Sequence, residues 1–179
     1  MGFVDSICQN RQFKHALEKG RPRLYRMAMA WCGDVMLADD LAQEALIRAI
    51  RKRHQLKDPE RLDAWLFRIL ANCWREHLRR LKPTLDLDEG QLVDWESPET
   101  HHQREDVVSR VQHEISRLPL GQRQTLTLVD IEGFSYAETS EILDIPMGTV
   151  MSSLNRARTA LKSQLQDLCE QQPQLRRVK

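Results

Sequence analysis

Glycine and aromatic residues are scarce in this chain of 179 residues, which has seven glycines and an aromatic content of 6%. Alternating runs of β-branched residues between turn residues are also missing, and this argues against a β-sheet fold. No apolar stretch reaches the length of a membrane span or a secretory signal, so we expect a cytoplasmic protein. An apolar content of 41%, rich in leucine and alanine, predicts an all-α protein with a compact core.

The cysteines are too far apart to form a metal or redox motif. They are Cys8, Cys32, Cys73 and Cys169. None lies at C-x-x-C spacing from another, and the adjacent histidines 101 and 102 have no partner at metal spacing. We therefore assign no metal and no cofactor, and we expect buried, reduced thiols. A nucleophile with its base and a phosphate-binding loop are also missing, so an enzyme would lack its essential parts.

Charge is distributed unevenly, although the formal net charge is only +1. Residues 1–81 have 16 basic and 10 acidic side chains, and residues 107–179 have nine and eight. The stretch between them, residues 82–106, has two basic and eight acidic side chains. The two outer parts therefore differ in character from the middle.

The acidic middle stretch has the composition of a linker. It contains Pro83, Gly90 and Pro98 and shows no helical period. The sequence therefore predicts two small helical domains, at 1–81 and 105–179, joined by a flexible acidic linker at 82–104. A linker of this length is either functional or a solvated tether, and its composition fits both.

Three helical segments are predicted between Pro22 and Leu81, and the second has two distinct faces. Its apolar residues recur at helical spacing and predict a buried face. These residues are Leu37, Ala38, Leu41, Ala42, Ala45 and Ala49. The opposite face combines Asp40, Gln43 and Glu44 with Ile47. Such a face suits docking to a protein, and a solvated face with one stray isoleucine would have the same composition.

The third segment, 62–81, has an apolar face and a basic face. The basic face repeats at i, i+4, i+7 and i+11, and two further arginines lie close by. These residues are Arg68, Asn72, Arg75 and Arg79, with Arg61 and Arg80. Guanidinium groups can bind phosphates, and an amide can contact a base edge. Trp65 and Trp74 could stack on unpaired bases or belong to the core, and a neighbouring apolar row favours the core for Trp74.

The C-terminal part has the pattern of a helix-turn-helix. Ser135 is placed to cap one short helix, and Pro146 is placed to begin the next. The last helix has a predicted buried stripe. It consists of Val150, Leu154, Ala157 and Leu161. Its other face is left for DNA.

Three segments carry a resemblance to a known family. They are DDLAQEALIRAI (39–50), LDAWLFRILANCWREHLRR (62–80) and, after the acidic stretch, LPLGQRQTLTLVDIEGFSYAETSEILDIPMGTV (118–150). Together and in this order they resemble the extracytoplasmic-function (ECF) sigma factors of bacterial RNA polymerase. The helix-turn-helix alone occurs in many regulators, whereas D-x-x-Q-E-A followed by A-W-L-F-R-I-L-A-N is a specific pair.

The resemblance implies a protein that binds core RNA polymerase and directs promoter-specific transcription initiation. Asp40, Gln43, Glu44 and Ile47 fall where the family docks on the β′ clamp helices, and the β flap is a second implied contact. The basic residues around segment 62–81 fall where the family holds the melted minus-10 element. There a flipped base enters a pocket bordered by the loop HQLKDPERLD.

Two further partners or roles are implied by the resemblance alone. The acidic stretch corresponds to the segment that threads toward the active-site and RNA-exit channels, where Asp86, Asp88 and Glu89 could mimic RNA phosphates. Family members are also often held inactive by an anti-sigma factor, frequently a membrane-bound one.

The last helix is implied to bind the minus-35 element through the major groove of promoter DNA. The residues assigned to this contact are Thr149, Met151, Ser152, Asn155, Arg156 and Arg158. The chain departs from the family at Met151 and Ser153, where a cation is usual, and at Asp144, where a glycine commonly makes the turn. Fewer cations predict a weaker salt dependence and a different base preference.

An alternative is a two-domain helix-turn-helix regulator that acts without core polymerase. It explains the C-terminal half but gives no role to the face with Asp40 or to the acidic stretch. Co-elution with core polymerase in gel filtration separates the two hypotheses, because only a sigma factor forms a stoichiometric complex.

Overall fold

The computed structural model describes residues 3–81 and 107–171, with side chains at 13–81 and 110–165. Both described ranges are mainly helical and neither contains a strand. The predicted all-α architecture with two small helical domains is therefore confirmed. The acidic stretch at 82–104, with Asp86, Asp88 and Glu89, lies outside the described residues.

The N-terminal domain is built from three long helices joined by short connections. They are α1 (Phe3–Cys32), α2 (Val35–Arg51) and α3 (Leu62–Leu81), with single 3₁₀ turns at Arg53–Gln55 and Pro59–Arg61 before α3. Helix α2 packs against both α1 and α3. It is therefore the central helix of the domain.

Helix α1 is longer than the sequence predicts, since the first segment was expected to begin after Pro22. Pro22 has no N–H and removes one helical hydrogen bond, but it is exposed and the helix continues through it. Gly20 faces α3, where an added Cβ would lie 3.4 Å from Cδ1 of Leu66. Leu17 and Leu24 are buried on either side of Pro22. Packing of these residues stabilises one continuous helix.

Helix α2 begins sharply and has a small-residue buried face. Gly33 adopts a φ of 71°, which ends α1, and Asp34 then caps α2 by accepting a 2.8 Å hydrogen bond from the backbone N–H of Leu37. The buried face of α2 consists of Ala38, Leu41, Ala42, Ala45 and Ala49. Because four of these five side chains are methyl groups, α1 and α3 can approach the α2 backbone closely. The predicted buried face is confirmed except for Leu37, which is only half-buried.

The C-terminal domain consists of four helices around a second apolar cluster. They are α4 (Val107–Ser116), α5 (Leu120–Leu126), α6 (Tyr136–Leu143) and α7 (Met147–Gln171). The cluster contains Ile115, Leu118, Leu126, Leu154 and Ala157. Residues from α4, α5 and α7 thus share one core, and the predicted buried stripe of α7 is confirmed at Val150, Leu154 and Ala157.

Helix α5 ends in a π turn at Thr127–Ile131. The backbone N–H of Glu132 donates to the carbonyl oxygen of Thr127 over 3.1 Å, an i+5 bond in place of the usual i+4 bond. The buried hydroxyl of Thr127 donates to the carbonyl oxygen of Arg123 over 2.8 Å. The widened turn therefore keeps its buried polar groups satisfied.

Helices α6 and α7 form the predicted helix-turn-helix. The backbone N–H of Glu138 donates to the Ser135 hydroxyl over 3.2 Å, and the Glu138 carboxylate accepts from the Ser135 backbone N–H over 2.8 Å. This reciprocal capping box confirms the predicted start of α6. The turn between the helices places Asp144 at a φ of 56°, in the left-handed region.

We expect Asp144→Gly to stabilise the protein by about 0.5 kcal/mol. Glycine removes the left-handed strain of an L-residue, and its greater freedom in the unfolded chain offsets part of the gain. Asp144→Ala is the matched comparison, since alanine keeps the strain without the local hydrogen bonding of aspartate. It should be roughly 1 kcal/mol less stable than Asp144→Gly in urea unfolding. The reverse order of the two variants would contradict the strained turn.

Candidate functional site

The exposed face of α2 carries a continuous stripe at helical spacing. It consists of Met36, Asp40, Gln43, Ile47 and Ile50, which we call the docking stripe. Ile47 is 43% exposed and Ile50 is 48% exposed, values that are high for large aliphatic side chains. Asp40, Gln43 and Ile47 were predicted from the sequence to dock, whereas Met36 and Ile50 were not. The 36, 40, 43, 47 and 50 spacing was the signal that could have shown them.

Glu44 lies at the edge of the docking stripe and is engaged within the domain. Its Oε1 accepts a 2.6 Å hydrogen bond from Nε of Arg48, and the same guanidinium contacts Oε2 of Glu76 on α3 at 2.7 Å. These contacts raise the pKa of Arg48 and, through the hydrogen bond from Arg48, lower the pKa of Glu76. Arg48 thus joins α2 to α3, and Asp40 is the more available carboxylate of the predicted docking residues.

A groove of about 520 Å³ runs between α2 and α3 beside the docking stripe. Gln43 and Ile47 line it from α2, and Cys73, His77 and Arg80 line it from α3. Burial raises the pKa of the Cys73 thiol to about 11, so the thiol stays protonated at neutral pH. Cys32 and Cys73 are both buried thiols, as predicted, whereas the side chains of Cys8 and Cys169 lie outside the described residues.

The opposite side of α3 carries the predicted basic face. Arg68 and Arg79 are exposed, while Asn72 and Arg75 are half-buried between them. A guanidinium nitrogen of Arg75 donates to Oδ1 of Asn72 over 3.0 Å, which holds the two side chains together. We call these four residues the α3 basic face.

Arg61 and Arg80, the two other arginines assigned to this surface, differ in position. Arg61 is exposed at the end of the Pro59–Arg61 turn, directly before α3, at a helical position that continues the α3 basic face. Arg80 instead lines the groove toward α2. The structure therefore separates Arg80 from the arginines with which it was grouped.

The two tryptophans near the α3 basic face also differ. Trp74 is buried, as the sequence favoured, and its ring stacks on that of His77 with centroids 5.6 Å apart. Trp65 is half-buried and keeps part of its ring accessible. Trp65 is therefore the better placed of the two to stack on a base.

The outward face of α7 brings together most of the residues assigned to the minus-35 contact. Thr149, Ser152, Asn155 and Arg156 are exposed, and Met151 is exposed to 52%. Ser153, the second position at which the family usually has a cation, is half-buried at the edge of this face. Of the two positions that lack the family's usual cation, Met151 thus lies fully on the accessible side and Ser153 does not.

Arg158, also assigned to the minus-35 contact, forms an ion pair within its own domain. Its guanidinium donates to both carboxylate oxygens of Asp130 at the π turn, over 3.0 and 2.6 Å. The hydrogen bond to Asp130 raises the pKa of Arg158. Arg158 remains at the surface, but part of its hydrogen-bonding capacity is already used.

The described residues contain neither a cluster of metal ligands nor a membrane-spanning helix. No group of three or more potential metal ligands occurs at 3–81 or 107–171. Within the same ranges, no helix combines the length and the apolar character needed to cross a membrane. The adjacent histidines 101 and 102, to which we assigned no metal, lie outside these ranges.

Two regions of the chain match known sequence families. Residues 17–84 match Sigma-70 region 2, and residues 109–161 match Sigma-70, region 4. The first region covers α2, α3 and the second half of α1, so it includes the docking stripe and the α3 basic face. The second region covers the helix-turn-helix.

Curated relatives cover most of the chain. The RNA polymerase sigma-H factor of Pseudomonas aeruginosa is 33% identical over 170 residues, which span 88% of each chain. The ECF RNA polymerase sigma factor SigW of Bacillus subtilis is 34% identical over 160 residues, which span 83% of this chain and 86% of SigW.

Solved structures of other proteins share the fold. The sigma factor RpoE of Bartonella quintana, crystallised with the anti-sigma factor NepR, matches with a TM-score of 0.72 and 26% identity over 87% of this chain and 98% of that one. The structure of CnrH in complex with the cytosolic domain of CnrY matches with a TM-score of 0.62 and 23% identity over 88% of this chain and 90% of that one.

Proposed function

We propose a separate role in initiation for each of three exposed faces of this chain, which belongs to the ECF sigma factors of the sigma-70 family and so directs transcription initiation. The docking stripe binds core RNA polymerase, the α3 basic face binds the minus-10 element, and α7 binds the minus-35 element. Sigma factors are not an enzyme class, and the reaction itself is that of the polymerase.

The docking stripe is the observation that carries this proposal. It combines a carboxylate and an amide with three large apolar side chains, all accessible on one helix. Apolar anchors surrounded by polar groups are typical of protein interfaces and are unfavourable on a surface that meets only water. Helix α2 is held between α1 and α3, so the stripe is preorganised for a rigid partner such as the β′ clamp helices.

Gel filtration of the full chain with core RNA polymerase tests the assignment. A sigma factor should co-elute with core polymerase as a stoichiometric complex and should support run-off transcription from a promoter. A chain that binds duplex DNA but stays separate from core polymerase would instead be a two-domain helix-turn-helix regulator. That result would overturn the proposal.

The α3 basic face supports binding of promoter DNA around the melted minus-10 element. Arg68 and Arg79 are exposed for phosphates, and the paired Arg75 and Asn72 between them can contact a base edge. Trp65 lies beside this face and offers a ring for stacking. A face that combines cations, an amide and an aromatic ring is better suited to binding single-stranded DNA than to contact with solvent alone.

We expect Arg75→Ala to lower open-complex formation about tenfold while leaving the association with core polymerase unchanged. The loss corresponds to one charge-assisted hydrogen bond of roughly 1.5 kcal/mol. Permanganate reactivity of promoter thymines measures the open complex, and gel filtration measures core binding.

Arg26→Ala is the matched control for Arg75→Ala. It removes the same charge from an exposed position in the same domain, on α1 instead of α3. Its permanganate pattern should equal that of the parent. If Arg75→Ala also behaved like the parent, the basic face would be a solvated surface.

The anti-sigma partner and the cellular location are extensions of the same proposal. The Bartonella quintana relative was solved with an anti-sigma factor, and this chain matches 98% of it. We propose that an anti-sigma factor covers this protein too and that the protein acts in the cytoplasm, where core polymerase is found. Competition between that partner and core polymerase for the docking stripe is the expected behaviour.

A further inference from the structure

Two methionines form an exposed ridge at the start of the second helix of the helix-turn-helix. Met147 is 53% exposed and Met151, one helical turn later, is 52% exposed. Residues four apart lie on the same side of a helix, so their side chains are neighbours. We call this pair the methionine ridge. The sequence analysis assigned Met151 to DNA and missed Met147.

The methionine ridge lies in a part of α7 that has no charge. The nine residues from Met147 to Asn155 contain no acidic or basic side chain. Arg156 and Arg158 come only after them, and Arg158 is engaged by Asp130. The first two turns therefore provide little for phosphates, which are bound through cations. Their apolar side chains require an apolar partner.

We propose that Met147 and Met151 recognise the 5-methyl groups of two thymines in the minus-35 element, an inference that rests on the proposed function of α7. Thymine alone presents a methyl group in the major groove, so it is the base that an exposed thioether side chain would select. One helical turn advances about 5.4 Å, and base pairs are spaced by about 3.4 Å. The two thymines therefore lie one or two base pairs apart.

The ridge fits DNA better than another protein surface because of what surrounds it. Thr149 lies between the two methionines in sequence, Ser152 and Asn155 follow Met151 within the next turn, and all three are exposed. Short hydroxyl and amide groups can bind base edges and phosphates without a net charge. Two apolar side chains beside such polar groups therefore suit the major-groove edges of neighbouring base pairs.

Replacement of thymine by deoxyuridine provides a direct test, because it removes only the methyl group. The full chain is assembled with core polymerase and used to select duplexes from a randomised library. Each thymine of the best duplex is then replaced in turn by deoxyuridine. At two positions, one or two base pairs apart, binding should weaken about fourfold each, the value of one buried methylene. Replacing both should weaken binding about fifteenfold.

Methionine variants connect each effect to its side chain. For each position, the affinity for the thymine duplex is divided by the affinity for the deoxyuridine duplex. Met147→Ala and Met151→Ala should each reduce this ratio to about one at one position. The folds should be kept, because alanine is a strong helix former and both sites are exposed. Met147→Leu and Met151→Leu should retain most of the ratio, since leucine keeps the apolar contact.

Other outcomes would overturn the inference. Equal binding of thymine and deoxyuridine duplexes by the parent, or an unchanged ratio in both alanine variants, would show that these methionines contact no methyl group. Loss of co-elution with core polymerase in the alanine variants would show that the ridge contacts protein. A holoenzyme that selects no duplex at all would instead remove the minus-35 assignment, and this inference with it.

Discussion

Replacing Ile47 by lysine is expected to weaken association with core RNA polymerase by at least about 2 kcal/mol, or roughly thirtyfold in Kd. Ile47 is central in the docking stripe, where a partner would bury it from all sides. A lysine at this position must lose its hydration on binding, and no group of the partner is positioned to compensate its charge. Titration of labelled core polymerase with the parent and the variant measures the difference.

The Ile47→Lys variant should remain folded, because Ile47 is largely accessible and lysine is a good helix former. Val35→Lys is the matched control, since it replaces another exposed aliphatic residue of α2 that lies off the docking stripe. This control should bind core polymerase like the parent. A folded Ile47→Lys variant that did the same would place the docking surface elsewhere.

Replacing Leu154 by alanine is expected to destabilise the C-terminal domain by about 2 to 5 kcal/mol. Leu154 is 2% exposed, and it joins α7 to the cluster formed with Ile115, Leu118 and Leu126. The substitution leaves a cavity where three helices meet. Hydrogen exchange of the α5 and α7 amides should accelerate, because local opening becomes more frequent.

The N-terminal domain provides the internal reference for Leu154→Ala. Exchange in α2 and α3 and the affinity for core polymerase through the docking stripe should stay near those of the parent. Lys162→Ala changes an exposed side chain on the same helix and should leave exchange unaltered. If the α7 amide hydrogens of the Leu154→Ala variant exchanged as slowly as those of the parent, this would contradict the role of Leu154 in the core.

Periodicity was sufficient to predict the faces of the long helices. The alanines of α2, the apolar face of α3 with Trp74 and the stripe from Val150 to Ala157 in α7 are buried as expected. These predictions succeeded because one side of each helix is apolar over three or more turns, and burial of such a face dominates the packing.

Single residues that often interrupt helices predicted the helix boundaries less well than periodicity predicted the buried faces. Pro22 suggested a helix boundary, yet tertiary packing of the nearby Gly20 against Leu66 keeps α1 continuous. Asp144 behaved as its residue type allows and takes the left-handed conformation expected of a glycine at that turn. A preference of one residue is overridden where its neighbours gain enough from packing.

Side-chain pairing could not be predicted from spacing alone. Arg80 points into the groove beside α2, and Arg158 is bound to Asp130, 28 positions earlier in the chain. Arg80 was assigned to DNA as a neighbour of the α3 basic face, and Arg158 was assigned with the other residues of the last helix. Which partner an arginine finds depends on the packing of a second helix, and a pattern within one helix contains no information on that.

The π turn at the end of α5 makes the number of residues matter as well as the identity of the side chains. A π turn contains one residue more than the α-helical turn it replaces, so it rotates the residues after it by about 100°. Asp130 lies within this turn, where its carboxylate accepts both hydrogen bonds from Arg158 on α7. Insertion or deletion of a single residue between 127 and 131 would turn Asp130 away and free the Arg158 guanidinium. Point substitutions at the exposed Ile131 would leave the geometry in place.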